Sequence, residues 1–167
     1  MVLITLKGDP NSGKSSVLKT VILMFLEKTD AKVIQTTKFN SHIQGLDDGQ
    51  RRSVLADCIR KNWYTKTGNV SDITVIFEWK GKRFVITTQG DDYKRSKNLF
   101  EKRQPLTCFV CGCHPDQYEN LCEAIPHCNE FPINARKVPN ESERCKSNTA
   151  IAEKLYNEIM KPLEKEC

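Results

Sequence analysis

The chain has 167 residues, of which 38% are hydrophobic and 28% are charged. This length and composition fit one globular domain with a core of its own, and they exclude collagen-like, low-complexity and wholly disordered chains. The longest unbroken apolar run is only Val21 to Leu26, far short of the roughly 18 residues of a transmembrane helix. The first ten residues have the pattern of a strand and not of a secretory signal. We therefore expect a cytoplasmic protein with no membrane association.

The basic residues are concentrated in the first hundred positions. These positions hold 17 Lys and Arg against 10 Asp and Glu, whereas residues 101–167 hold 9 against 11. A positive field of this kind suits a phosphate-bearing ligand. The basic residues are spread over several segments and form no dense block, so nucleic acid is an open but not a favoured partner.

The first part of the chain predicts alternating strands and helices. A β-rich run over Val2–Lys7 ends in a cluster of Gly, Pro, Asn and Ser, and a helix follows over residues 15–28. This helix is apolar on more than one face, which indicates that it packs between a sheet and another element. We then predict a strand over 32–37, a loop over 38–50 and a helix over 50–64.

Residues 73–88 carry the clearest β-strand signal. Apolar residues alternate with polar or smaller ones until a glycine turns the chain, at Ile73, Val75, Phe77, Trp79 and Gly81. This pattern predicts an antiparallel hairpin. The remaining predicted elements are a charged surface helix over 93–103, a buried strand over 106–113, a short helix over 116–125, an irregular or strand-like segment over 131–139, and a C-terminal amphipathic helix capped by Asn140 or Ser142.

Eight cysteines in a chain without an export signal indicate free thiols and not a disulfide framework. A cluster with zinc-binding residue types is present: Cys108, Cys111, Cys113, His114, Cys122, His127 and Cys128. Structural zinc normally takes ligand pairs from two turns, whereas the first three cysteines lie in the apolar run LTCFVCGC. We predict that these three thiols are buried in a strand and bind no metal. A zinc-dependent nucleic-acid binder is the alternative.

The segment from Gly8 to Ser15 satisfies the pattern G-x-x-x-x-G-K-S/T between a predicted strand and a predicted helix. The two glycines let the backbone approach phosphates closely, and the loop amides and helix N-terminus attract an anion. Lys14 would reach the β- and γ-phosphates as a catalytic cation, and Ser15 would bind Mg²⁺. The predicted phosphate-binding residues are Gly8, Asp9, Pro10, Asn11, Ser12, Gly13, Lys14, Ser15 and Ser16.

The run GDPNSGKSS resembles the Walker A motif of the P-loop NTPase superfamily position for position. The resemblance implies a three-layer P-loop NTPase-like α/β fold for a single domain over residues 1–167, with the first strand central and the loop at its C-terminal edge. Together with the predicted hairpin, the expected sheet is mostly parallel with one antiparallel pair. The implied ligands are Mg²⁺ with ATP or GTP. ATP is preferred because the sequence has no Asn-Lys-x-Asp run.

The second acidic motif of this superfamily is altered. Superfamily members end an apolar strand in an Asp that holds the water shell of the magnesium ion, but FVITTQGDD has Thr87 or Thr88 at that position. The first carboxylates, Asp91 and Asp92, come after Gly90. We expect them to act as substitute catalytic residues, with Asp91 at the metal. The alternative is that both begin the next helix, where acidic residues meet the helix dipole favourably.

Two functions therefore lead. The first is a Mg²⁺-dependent enzyme that hydrolyses ATP or transfers its γ-phosphate to a small acceptor, with Arg51, Arg52 and Arg60 as candidates to bind phosphoryl oxygens. The second is a slow nucleotide-dependent switch or interaction module with a protein partner, which the missing Asp favours.

Overall fold

A computed structural model describes residues 1–89, 92–125, 129–134 and 140–165 of the chain. The strands are β1 Val2–Lys7, β2 Lys32–Thr36, β3 Thr74–Trp79, β4 Lys82–Thr87, β5 Cys108–Cys113 and β6 Asn129–Asn134. The helices are α1 Lys14–Lys28, α2 Asn40–Ile43, α3 Asp48–Lys61, α4 Tyr93–Glu101, α5 Tyr118–Ala124 and α6 Glu141–Glu164. None of the helices within these ranges is both long and apolar enough to cross a bilayer.

The six described strands form one mixed sheet in the order β2-β3-β4-β5-β1-β6. β1 is parallel to both β5 and β6, β4 is parallel to β5, and β3 is antiparallel to both β2 and β4. The predicted antiparallel hairpin is thus confirmed as β3 and β4. β1 has a neighbour on each side but lies next to the edge strand β6, so the expected central position of the first strand is only partly correct.

Helices cover both faces of the sheet, which makes the fold α/β with three layers. On one face the buried core includes side chains of α1, α3 and α6, and on the other it includes side chains of α5, with α4 packed against it. The ring of Phe25 in α1 contacts Phe77 and Phe84 of the sheet and Tyr156 of α6. α1 therefore packs between the sheet and another helix, as its two apolar faces predict.

The predicted loop over 38–50 is wrong in two places. A short helix, α2, forms inside it, and α3 begins at Asp48. The earlier start of α3 has a clear cause, because Asp47 and Gln50 form a capping box. The Gln50 backbone N–H donates to Asp47 Oδ1 at 2.8 Å, and the Asp47 N–H donates to Gln50 Oε1 at 3.3 Å. Such reciprocal bonds fix the start of a helix.

The other predicted elements agree with the structure to within a few residues. All six residues of β5 are buried, which confirms the buried cysteine strand. The C-terminal helix is capped by Asn140, whose side chain accepts a hydrogen bond from the Ser142 backbone N–H. β6 covers the first part of the predicted segment 131–139, and residues 135–139 lie outside the described residues.

Candidate functional site

The candidate site lies at the sheet edge where β1, β4 and β5 end. These strands are parallel, and the antiparallel strand β3 begins at the same edge. The β1–α1 loop, residues 8–13, leaves this edge and leads into α1. In open α/β sheets the crevice outside the carboxyl ends of the strands is the usual place for a ligand. The predicted binding residues are therefore gathered at a suitable edge.

The backbone of the β1–α1 loop is shaped by local hydrogen bonds and by two residues with positive φ. Asn11 has φ 62° and Gly13 has φ 91°. The Gly8 N–H donates to Cys113 O at 3.1 Å, and the Ser12 N–H donates to Asp9 O at 3.2 Å. The first of these bonds ties the loop to the end of β5, and the second closes a turn inside the loop.

The N-terminus of α1 faces this edge without a side-chain cap. Its N-cap residue is Gly13, which has no side chain to accept a hydrogen bond, and the first turn contains no acidic residue. The start of a helix of this length carries partial positive charge and backbone N–H donors. An anion is the type of ligand that such a helix end stabilises.

Lys14 folds back over the β1–α1 loop. Its side chain is almost entirely buried, and Nζ donates to Gly8 O at 2.7 Å and to Asp9 O at 2.9 Å. A Cβ at Gly112 of β5 would lie 3.8 Å from Lys14 Cβ and Cδ, so the lysine stem runs beside the end of β5. The structure thus places the ammonium at the loop, and its contact with phosphates stays a prediction.

Ser12 supplies a buried polar group without a partner. The residue is 4% exposed, and its Oγ makes no hydrogen bond to any residue that the structure describes. Leaving a buried hydroxyl unpaired costs about 1–3 kcal/mol. A ligand oxygen bound in the β1–α1 loop would remove this cost. The residues present therefore fit an oxyanion ligand.

One side of the loop is bordered by α6. A Cβ built on Gly13 would lie 3.0 Å from Asn148 Oδ1 and 3.1 Å from Asn148 Nδ2. Farther along, the Tyr156 ring of α6 packs on Phe25 of α1, so the two helices run in the same direction. α6 begins seven residues before Asn148, and its first two turns extend about 10 Å past the loop. Sequence reasoning missed Asn148, which carries no motif.

Hydroxyl groups also lie at this sheet edge, at the start of β3 and at the end of β4. Thr74 Oγ1 and Thr87 Oγ1 share a hydrogen bond of 2.7 Å, and Thr88 Oγ1 accepts from the Ile73 N–H at 2.8 Å. Both Thr87 and Thr88 are buried. The residues that replace the expected Asp are thus bonded within the sheet. Thr88 Oγ1 also donates to Asp72 Oδ1 at 3.2 Å, which sequence reasoning did not single out.

Asp92 and Asp91 were the predicted acidic residues of this site. Asp92 is the N-cap of α4, and its carboxylate accepts from the Lys94 N–H at 2.9 Å. This geometry agrees with the alternative in which the aspartate begins the next helix. Asp91, the predicted metal residue, lies outside the described residues together with Gly90. Their catalytic roles stay predictions.

A second lysine of α1 was missed by sequence reasoning. Lys19 is 1% exposed, and its Nζ donates to Ser71 Oγ at 2.7 Å and to Trp63 O at 2.8 Å. Burial, reinforced by Lys38 and opposed by Asp72, lowers the pKa of this ammonium to about 8. Lys19 therefore joins α1 to the segment that leads into β3. The sequence signal for Lys19 was a cation within the apolar part of a helix.

Two of the three arginines predicted to bind an acceptor lie elsewhere. Arg60 forms ion pairs with Glu27 and with Asp57. Glu27 is 13 residues after Lys14 in α1, which places it about 20 Å away along the helix. A pocket of about 330 Å³ lined by Arg52 and Arg60 is at this far end. These two arginines are therefore not brought to the β1–α1 loop.

The buried cysteines have the chemistry of core thiols. Burial, reinforced by Cys113, raises the pKa of the Cys111 thiol far above its usual range. Burial also raises the pKa of Cys113 to about 11, although Lys7 and Lys14 oppose the shift. Within the described residues, no group of three or more His, Cys, Asp or Glu could hold a metal ion. His127 and Cys128 lie outside these residues, so the absence of zinc stays a prediction.

Comparison with known proteins gives no relative for this chain. No protein-family model, no curated protein and no solved structure matches it. A function therefore has to be argued from the site itself.

Proposed function

We propose that this chain binds a nucleoside triphosphate, ATP in preference to GTP, together with Mg²⁺ at the β1–α1 loop, and that it hydrolyses the γ-phosphate or transfers it to a small acceptor. The observation that carries this proposal is the group of anion-binding features in one loop. Ser12 Oγ is buried without a hydrogen-bond partner in the part of the chain that the structure describes, the start of α1 has no side-chain cap, and the Lys14 ammonium lies over the loop.

Each residue of the loop has a role in this proposal. The positive φ of Gly13 turns the backbone so that the N–H groups at the start of α1 face the sheet edge. Lys14 donates to phosphate oxygens, and such charge-assisted hydrogen bonds are about twice as strong as neutral ones. The half-buried Ser15 and Ser16 lie in the first turn of α1. The exposed residues Asp9, Pro10 and Asn11 form the outer part of the loop.

Ser15 is the residue that would bind Mg²⁺ directly. Its hydroxyl follows Lys14 at the start of α1, which is the position that the Walker A resemblance implies for a metal ligand. The ion neutralises charge on the β- and γ-phosphate oxygens. Catalysis of phosphoryl transfer consists almost entirely of positioning and charge stabilisation. Lys14 and the helix N-terminus supply both without a nucleophilic side chain.

A second function is favoured by the end of β4. Thr87 and Thr88 stand where the superfamily has an Asp, and their hydroxyls are bonded within the sheet. Asp92 is bonded to the start of α4. A protein whose site has few acidic groups would hydrolyse the nucleotide slowly. A protein partner would then distinguish the triphosphate-bound form from the diphosphate-bound form. Steady-state turnover with and without a candidate acceptor separates the enzyme from the switch.

The proposal is tested by calorimetric titration of the protein with ATP and GTP in the presence of Mg²⁺. We expect Lys14→Ala to weaken binding by about 10- to 150-fold, because a hydrogen bond to a charged group contributes about 1.5–3 kcal/mol. Lys154→Ala is the matched control, since it removes one exposed lysine of α6. Circular dichroism verifies that each variant is folded. A folded Lys14→Ala protein that binds like the parent, or a parent that binds no nucleotide, would overturn the proposal.

A further inference from the structure

The carboxylate of Asp72 lies at the end of β4, although Asp72 is distant from that strand's end in the sequence. It precedes β3, which is antiparallel to β4, so the start of β3 and the end of β4 meet at one sheet edge. Thr88 Oγ1 donates to Asp72 Oδ1 at 3.2 Å, and the Thr88 N–H donates to Ile73 O at 2.9 Å. Asp72 itself is exposed. The hydroxyl of Thr88 thereby orients an accessible carboxylate at the end of β4. The residues at that strand end, Thr87 and Thr88, are not acidic themselves.

Lys19 of α1 contacts the segment that contains Asp72. Residues four apart lie on the same face of a helix, so Ser15 and Lys19 share a face of α1. Lys19 Nζ donates to Ser71 Oγ at 2.7 Å, and the charge of the adjacent Asp72 acts on this ammonium. The face of α1 that carries Ser15 is thus the face that meets the segment containing Asp72.

A contact through one water molecule sets an upper limit on the distance between a serine ligand and a carboxylate. Mg²⁺ binds oxygen at about 2.1 Å and keeps several waters, and a hydrogen bond from water to a carboxylate is about 2.7 Å. A serine ligand and a carboxylate that hold the same ion in this way are up to about 7 Å apart. The first turn of α1 runs beside the end of β5 at Gly112, and β4 is the next strand, about 4.8 Å away.

From this geometry we infer that Asp72 holds the water shell of the magnesium ion whose direct protein ligand is Ser15. The inference rests on the proposed function and adds a residue to the same site. Asp72 thus has the role at the magnesium ion that the sequence predicted for Asp91 or Asp92. Asp92 accepts a hydrogen bond from the Lys94 N–H at 2.9 Å, at the start of α4. Asp72 accepts a hydrogen bond from the Thr88 hydroxyl, at the end of β4.

The test measures ATP binding as a function of Mg²⁺ concentration, with EDTA as the metal-free reference. Asp72→Asn and Asp72→Ala each remove the charge of an exposed side chain, so two independent variants are available. We expect both to bind ATP in EDTA within about twofold of the parent, and to require at least about tenfold more Mg²⁺ for the metal-dependent gain in affinity. Asp57→Asn is the matched control, because Asp57 is exposed and lies beside Arg60 at the far end of α1, and it should keep the parental Mg²⁺ requirement.

The outcomes separate this inference from the proposed function. If both Asp72 variants keep the parental Mg²⁺ requirement while Lys14→Ala weakens ATP binding, Asp72 is not the metal residue and the nucleotide site stands. If Asp91→Asn alone raises the Mg²⁺ requirement, the role belongs to Asp91 and the inference fails. A parent protein that binds no ATP overturns both.

Discussion

Replacement of Gly13 by alanine tests the geometry of the β1–α1 loop directly. Gly13 has φ 91° and ψ 8°, a left-handed conformation. A Cβ at this position would also lie 3.0 Å from Asn148 Oδ1. The substitution therefore has two costs with different origins. One belongs to the backbone of the loop, and the other to its contact with α6.

The two costs have different sizes. A residue with a Cβ in the left-handed region costs about 1–2 kcal/mol relative to glycine. The contact with Asn148 is relieved by moving the end of a side chain, and an off-rotamer side chain costs about 0.5–1.5 kcal/mol. We expect Gly13→Ala to lower the free energy of unfolding by about 1.5–3.5 kcal/mol. The same change should weaken ATP binding, because it displaces the backbone at the start of α1.

Urea unfolding followed by circular dichroism measures both costs. The double variant Gly13→Ala with Asn148→Ala should recover only the contact with α6, about 0.5–1.5 kcal/mol. Gly45→Ala is the matched control: Gly45 has φ 78°, and among the described residues no atom beyond Gly45 and its two chain neighbours lies within 4 Å of the Cβ position, so only the backbone cost applies. A Gly13→Ala protein as stable as the parent would refute the left-handed loop. Additive effects at Gly13 and Asn148 would refute the contact with α6.

Two further predictions concern buried groups. The pKa of Lys19 is about 8 in the folded protein and about 10.5 when exposed, so the folded state binds fewer protons between these values and stability rises with pH there. The difference in unfolding free energy between the parent and Lys19→Met should therefore shift in favour of the parent from pH 8 to pH 10.5, and a constant difference in urea titrations would contradict this. A thiol reagent at neutral pH should modify the exposed Cys145 first, and the buried Cys108, Cys111 and Cys113 only after unfolding. Mass spectrometry of labelled peptides measures this order, and metal analysis of the purified protein should find no stoichiometric zinc.

The features that the sequence predicts well are those with a local signal. Residues 8–15 carry a motif with fixed spacing, and residues 73–88 are rich in β-forming residues on both sides of a turn at Gly81, so the sequence alone predicts both. The capping box of Asp47 and Gln50 is also a local signal, but the predicted start of the helix at residue 50 did not take it into account. The short helix α2 follows Phe39, which has φ 67°. A helix of this length has no apolar period to detect.

The features that the sequence does not predict depend on contacts between distant segments. Asn148 reaches Gly13 only because α6 runs beside α1. Asp72 comes to the end of β4 only because β3 and β4 pair in one particular register, with Thr74 opposite Thr87. β1 lies next to the edge of the described sheet because, among the described strands, only β6 lies beyond it. Local periodicity contains no information about any of these pairings.

The strand order has a consequence for how the molecule folds. β2, β3 and β4 pair among themselves within the first ninety residues, whereas β1 pairs only with β5 and β6, so that Val2 meets Cys108 and Asn129. Contacts between distant residues form late, because the chain entropy of closing a long loop has to be overcome first. During synthesis, β1 therefore leaves the ribosome before its partner strands β5 and β6 have been made, and it pairs with them late. The β1–α1 loop acquires its final shape only when the second half of the chain has docked.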